Sequence, residues 1–235
     1  MTSDFLAALP AGARADGLAF RVKSPTSLAC KIDDRVRSRL LPAAVAAEQL
    51  QDVVRCTAVA ASPAELVGTA RALVNGLAAR GWSVRGAEQS YLDEHGQPAQ
   101  HACKGLHLVV AAERAGVACE VQVHSEESIA AKHDTHRECE IERDDTVARP
   151  ERARAHAVMV ERWARVQTPP GLAELRELGG VALVAKAYPD RYAVGAAAPA
   201  GAARAAERAG ARDYQERLRA ARTTSRGTTR GRDGR

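Results

Sequence analysis

From Val117 to His124 the chain alternates without a break. Val117, Cys119, Val121 and Val123 fall on one face of an extended strand, and Glu120, Gln122 and His124 fall on the other. Side chains of a strand point alternately to opposite faces, so this run predicts a sheet with one buried side and one polar side. A row of polar groups on one strand is either the floor of a site or a plain solvent-facing surface. The apolar side needs helices to cover it. Aromatic residues make up only 3% of the chain and hydrophobic residues 46%, so Ala, Val and Leu have to supply most of the packing.

Those helices are legible on both sides of the run. Leu28, Ile32, Val36 and Leu40 recur at helical spacing and predict a helix over Thr26–Leu41, between Pro25 and Pro42. Val53–Ala60 reads as a strand. Ser62 as N-cap and Pro63 at the first position start a second helix, buried through Leu66, Ala70, Leu73 and Leu77 and ended by Gly81. Trp82–Leu92 is a strand with an irregular end, and Asp93–Gly96 is turn chemistry. Gly105–Ala112 pairs with the alternating run through a turn at Arg114–Gly116. A polar helix is expected over Ser125–Arg143 and another over Pro150–Val166, with Val158, Trp163 and Val166 available for packing. Thr168–Gly171 is a boundary, and Gly179–Tyr188 fits a strand or a helix. This order of elements indicates an α/β or α+β fold with a mixed sheet flanked by helices.

Several classes drop out. No apolar run reaches the roughly 18 residues of a membrane span, and Met1–Gly17 lacks the basic and apolar regions of a secretory signal; a cytoplasmic location is the expectation. Five cysteines without a CxxC pair fit neither a zinc site nor a disulfide framework, and most of them read as small buried residues in a reducing compartment. The net charge of +5 is concentrated at one end: residues 201–235 hold ten Arg against four acids. That segment is expected to be a disordered, Arg-rich tail able to hold nucleic acid or acidic partners. Residues 1–20 read as a lead, and 168–200 as an extension of uncertain structure.

Four clusters carry chemistry. In Arg21-Val-Lys23-Ser-Pro-Thr-Ser27-Leu-Ala-Cys-Lys31, the first two cations share one side of an extended segment, and Ser27 and Lys31 share a helix face. Such a set can enclose a polyphosphate. Asp52 and Arg55 flank the start of a strand, where an acid holds a divalent cation or forms an ordinary surface pair. Cys103-Lys104-Gly105-Leu106-His107 offers a cation and an imidazole beside a glycine that allows a ligand to approach the backbone. Glu120-Val-Gln122-Val-His124-Ser125 offers a second carboxylate, able to act with Asp52.

In order and spacing these four segments resemble the RelA/SpoT-like synthetases, the (p)ppGpp synthetase family of the nucleotidyltransferase superfamily. The resemblance covers about residues 21–167. It rests on the family's R-x-K-x-x-x-S-x-x-x-K segment, its acid and Arg beside a strand, its Y-x-S-L-H segment and its E-x-Q-x-R/H-T/S strand. Cys103 stands where the family carries a Tyr that stacks on guanine. Asp52 lies three residues before Arg55, where the family's acid lies five before, with the same strand parity.

The resemblance implies a nucleotidyltransferase-like mixed sheet and a pyrophosphokinase. Such an enzyme moves the β,γ-pyrophosphate of ATP to a ribose 3′-hydroxyl and releases AMP. It implies ATP contacts from Arg21, Lys23, Ser27, Lys31 and Arg55, and catalysis by Glu120 and Asp52, which also hold Mg²⁺. Cys103, Lys104, His107, Gln122 and His124 then face the acceptor. The expected acceptor is GDP, GTP or an adenine nucleotide. A tRNA 3′ end, as in toxin-like relatives, is an alternative that the Arg-rich tail suits, and a nucleotide sensor without catalysis is another. Homo-oligomers occur among small relatives, and no membrane contact is implied.

Overall fold

Residues 118–125 form an interior strand of a mixed sheet. The computed structural model describes residues 1–186 except 113, 115, 117 and 145, together with 192; of 34 and 38 it describes the backbone. The described residues up to 186 belong to one compact unit. The Arg-rich tail 201–235 lies outside the described residues.

The chain opens with α1 (Thr2–Ala8), β1 (Arg14–Asp16) and a 3₁₀ turn at Leu18–Phe20, followed by α2 (Pro25–Arg39), α3 (Ala43–Glu48) and β2 (Arg55–Ala60). A second 3₁₀ turn, Pro63–Glu65, leads into α4 (Leu66–Ala78), β3 (Ser83–Gln89), β4 (Leu106–Ala111) and β5 (Ala118–Ser125). Then come α5 (Glu126–Asp134), α6 (His136–Arg143), α7 (Arg149–Ala164), β6 (Glu177–Leu178) and β7 (Val181–Ala185). The described strands form one seven-stranded sheet in the order β1-β2-β5-β4-β3-β7-β6. β2 runs parallel to β5 and β3 to β7, while the other neighbours are antiparallel.

The core follows the expected stripes. Leu66, Ala70, Leu73 and Leu77 of α4 are buried in one cluster with Cys56 and Ala58 of β2, Leu106 and Leu108 of β4, and Cys119, Val121 and Val123 of β5. Residues 1–20 belong to this unit. Phe5 is fully buried, and α1 lies so close to α4 that a Cβ on Gly76 would come within 2.9 Å of Ala8 Cβ. Residues 168–186 also belong to it, because β7 adds to the sheet beside β3.

Four local expectations are corrected. Ser62 heads a 3₁₀ turn and makes no capping bond, so α4 starts at Leu66. The helix expected over Ser125–Arg143 is two helices. Ser125 and Ser128 form a capping box for α5, and the break falls at Thr135, whose hydroxyl donates to Ala131 O at 2.7 Å and accepts from Trp163 Nε1 at 3.2 Å. Val158 is 52% exposed, and α7 packs instead through Ala155, Met159 and Trp163. The stripe of α2 is only half-buried and Leu40 is 84% exposed, because this helix packs mainly on the short α3.

Candidate active site

The site begins with backbone pairing. Lys23 N donates to Val53 O at 3.1 Å, Arg55 N to Arg21 O at 2.7 Å and Glu120 N to Val54 O at 2.9 Å. The extended stretch 21–23, the start of β2 and the start of β5 therefore lie side by side. Three of the four sequence segments meet there. Ser24 caps α2, accepting from Ser27 N at 3.1 Å, with Pro25 in the first turn. That fixes the helix so that Lys31 faces Asp52.

Asp52 is buried and collects cations on one oxygen. Its Oδ2 pairs with Lys31 Nζ in a very short contact, with Arg55 Nη2 at 3.2 Å and with Lys23 Nζ at 3.3 Å. Arg55 also donates through Nε to Glu120 Oε2 at 2.5 Å. One guanidinium thus joins the two carboxylates. The other oxygen of Glu120 lies 3.1 Å from His107 Nδ1 and 3.1 Å from Gln122 Nε2. Strand register makes this possible: Glu120 is paired with Arg55 on β2, and Gln122 with His107 on β4.

Burial pushes both carboxyls up, but their partners win. Lys31 and Lys23 hold Asp52 below its ordinary value. The His107 bond, Arg55 and Gln122 hold Glu120 well below the usual carboxylate range. Burial lowers Lys31, offset in part by Asp52. Both acids are therefore ionised at neutral pH, in a network where each negative charge has a cation within hydrogen-bond reach.

Some sequence candidates sit elsewhere. Arg21 turns its Nη1 onto Leu18 O at 2.8 Å and has no ion pair with either acid. Lys104 is 3% exposed, and burial lowers its pKa, opposed by Glu127; a side chain so enclosed does not present itself to solvent. Cys103 is half-buried against the margin of the core. Gly105 does allow close approach, but to the protein's own rings: a Cβ there would meet His124 Cε1 at 2.9 Å and His107 Nε2 at 3.1 Å. The sequence reading missed Lys132 on α5, which donates to Gln122 Oε1 at 2.7 Å and so orients the amide that holds Glu120. Helix α5 is polar on most sides, so no pattern singles this lysine out.

His124 is buried, with Nδ1 3.1 Å from Ser128 Oγ, and among the described residues its Nε2 has no partner. Burial, reinforced by Lys132, holds its pKa well below 6.5, so it folds as neutral imidazole. The unfolded chain takes up a proton as pH falls through about 6.5, while the folded chain does not. Stability is therefore full above that pH and declines below it. We expect about 1 kcal/mol lost per buried neutral histidine by about pH 5.5, with His101 lowered in the same way by burial. Urea melts at pH 7.5 and 5.5 should show this loss shrinking in His124→Asn. An unchanged pH slope would remove His124 from the account.

Comparison with known proteins yields no matching family model and no matching curated protein. Among solved structures the chain is similar to the small alarmone synthetase 1 from Bacillus subtilis bound to its product pppGpp, at 19% identity and TM-score 0.42, over 70% of this chain and 76% of that one. It is similar to the Type VI effector Tas1 in complex with its immunity protein, at 17% identity and TM-score 0.39, over 69% and 86%. It is also similar to a GTP pyrophosphokinase family protein from Streptococcus pneumoniae, at 14% identity and TM-score 0.44, over 72% and 76%.

Proposed function

We propose that the protein transfers the β,γ-pyrophosphate of ATP to a ribose hydroxyl of an acceptor nucleotide and releases AMP. The observation that carries this reading is the single guanidinium of Arg55 bonded to both Asp52 and Glu120, with Lys23 and Lys31 on the same Asp52 oxygen. A surface ion pair needs one acid and one base. Two enclosed acids and three cations at the end of a sheet form a charge reservoir that a polyphosphate can enter by exchanging partners.

In this reading Lys23, Lys31 and Arg55 leave Asp52 for the phosphate oxygens, and Ser27 in the first turn of α2 adds its hydroxyl. Asp52 and Glu120 then lose cations and gain the capacity to hold Mg²⁺. Their hard oxygens suit that ion. Mg²⁺ takes one or two carboxylates and leaves its other positions to phosphate and water. Bound there, the ion supplies neutralisation of phosphate charge.

As found, Glu120 is a weak base, because His107, Arg55 and Gln122 all favour its ionised form. Withdrawal of Arg55 to the phosphates restores part of its basicity. Glu120 then accepts the proton of the acceptor hydroxyl as that oxygen attacks the β-phosphorus. The bond from the β-phosphorus to the oxygen of the α-phosphate breaks, and AMP leaves. Gln122, aligned by Lys132, and His107 keep the carboxylate aimed throughout. Cys103 offers no ring for base stacking, which is worth about 1–3 kcal/mol per base, so guanine has no built-in advantage and adenine nucleotides belong among the acceptors.

The test is transfer of label from ATP carrying it on the terminal phosphate, with Mg²⁺, to GDP, GTP, ADP, AMP, ATP or bulk tRNA in parallel. Label on a nucleotide, with AMP released in equal amount, is the expected result. Label on tRNA would move the acceptor to RNA. Binding of ATP without transfer to any acceptor would replace this reading with that of a nucleotide sensor.

A further inference from the structure

The cations on the two sides of Glu120 differ in their partners. On the Oε2 side Arg55 joins Glu120 to Asp52, and Lys23 and Lys31 pair with the same Asp52 oxygen. On the Oε1 side stands Lys132 of α5. It is half-buried, and its Nζ donates to Gln122 Oε1 at 2.7 Å. Among the described residues no carboxylate lies within ion-pair distance of it. An ammonium has three N–H donors, so one is used on a neutral amide and two are left. Burial lowers the Lys132 pKa, and the charge of Arg55 lowers it further. A half-buried ammonium with spare donors and a like charge nearby is stabilised by an anion.

The fold fixes where this lysine stands. Ser128 and Lys132 are four residues apart and share a face of α5. Ser128 Oγ lies 3.1 Å from His124 Nδ1, so that face is turned to the polar side of β5. Both ends of α5 are tied to β1. Glu126 accepts from Arg14 Nε at 2.6 Å and Nη2 at 2.8 Å, and His133 Nε2 lies 3.2 Å from Asp16 Oδ2. The path from the base to the ammonium is a single amide: Gln122 donates to Glu120 Oε1 at 3.1 Å and accepts from Lys132. In a nucleotide the 3′-hydroxyl and the 5′-phosphate are carried on C3′ and C5′, with one carbon between them. A sugar whose hydroxyl meets Glu120 therefore has its phosphate within reach of an ammonium one amide further along.

We propose that Lys132 binds the 5′-phosphate of the acceptor, so that the site selects nucleoside phosphates over nucleosides. That the bound nucleotide is an acceptor rests on the transfer reaction proposed above; the phosphate contact itself does not. One N–H of Lys132 stays on Gln122 and keeps Glu120 aimed, while the other two reach phosphate oxygens. No carboxylate has to be displaced, in contrast to the ATP side, where phosphates compete with Asp52 for Lys23, Lys31 and Arg55. Cys103 offers no ring for the base to stack on, so the affinity for the acceptor comes from its charge more than from its base. Lys132 is in this sense a specificity residue, in contact with the substrate's phosphate and not with the reacting atoms.

The experiment uses the full chain with Mg²⁺ and saturating α,β-methylene-ATP, which occupies the ATP side and cannot release AMP. Calorimetric titration then compares ADP with adenosine and GDP with guanosine. At least one nucleotide should bind about tenfold or more tighter than its nucleoside, the size of a charged hydrogen bond to phosphate. Lys132→Gln should remove that advantage and leave the nucleoside's affinity unchanged, while Lys132→Arg should keep it; thermal melts show that both variants are folded. Three results overturn the contact. They are an advantage that survives in Lys132→Gln, an equal loss for nucleotide and nucleoside, which would leave Lys132 aligning Gln122 alone, and a wild-type chain that binds no nucleotide tighter than its nucleoside. Label transfer on the same preparations judges the reaction separately. A phosphate advantage lost in Lys132→Gln, in a chain that transfers no label, would sink the proposed function and leave the phosphate contact standing.

Discussion

Glu120→Gln lowers transfer by about three orders of magnitude and leaves the chain folded; that is the expected result at the centre of the site. The amide keeps the shape of the side chain and still accepts from Arg55 Nε, now 2.5 Å from Glu120 Oε2. It cannot accept a proton, and it cannot satisfy both His107 and Gln122, which each donate to the carboxylate at 3.1 Å. Losing a base and a centre of negative charge together accounts for the size of the effect. The cost in stability should be about 1–2 kcal/mol, the usual worth of charged hydrogen bonds replaced by neutral ones. Label transfer and thermal melting on the same preparation check both halves. A folded Glu120→Gln protein with full transfer would sink the assignment.

Asp52→Ala should have effects of opposite sign on two measurements. The carboxylate holds Lys23, Lys31 and Arg55 around one oxygen. Without it, three like charges share a small volume, and stability should fall by about 2 kcal/mol. The same cations are then free for phosphate, so ATP measured in EDTA should bind about tenfold tighter, about 1.4 kcal/mol. Transfer with Mg²⁺ should nevertheless drop by about a hundredfold or more, because one of the two acids for the ion is gone. Weaker ATP binding in EDTA would show that these cations serve Asp52 alone and not phosphate. Calorimetric titration separates the outcomes.

Much of the sheet was legible because strand and helix periods differ. The alternation in β5 assigned its two faces correctly, and the stripe of α4 named its buried residues. The short edge pieces were not legible. β1 and β6 are too short to show a period, and what places them is the partner strand, not their own composition. Gly105 shows the limit from the other direction. Its need for space was readable, but whether a ligand or the protein's own imidazoles used that space was not. Lys132 was missed for a related reason: a lysine on a polar helix resembles any solvated lysine until the capping box at Ser125 and Ser128 turns α5 back over Gln122.

The sequence by itself determined which residue types are available for chemistry and which face of each long element they occupy, because side-chain direction follows from local backbone period alone. It set Glu120 and Gln122 on one face of β5, and Ser27 and Lys31 on one side of α2. The tertiary structure decided which of these charges meet. Arg55 joins Asp52 to Glu120 because β2 pairs in parallel with β5 in one register, while Arg21 ends on Leu18 O and Lys104 is enclosed. Coulomb and hydrogen-bond energies depend on separations of a few ångströms between residues far apart in the chain, and those separations are set by strand pairing and helix packing.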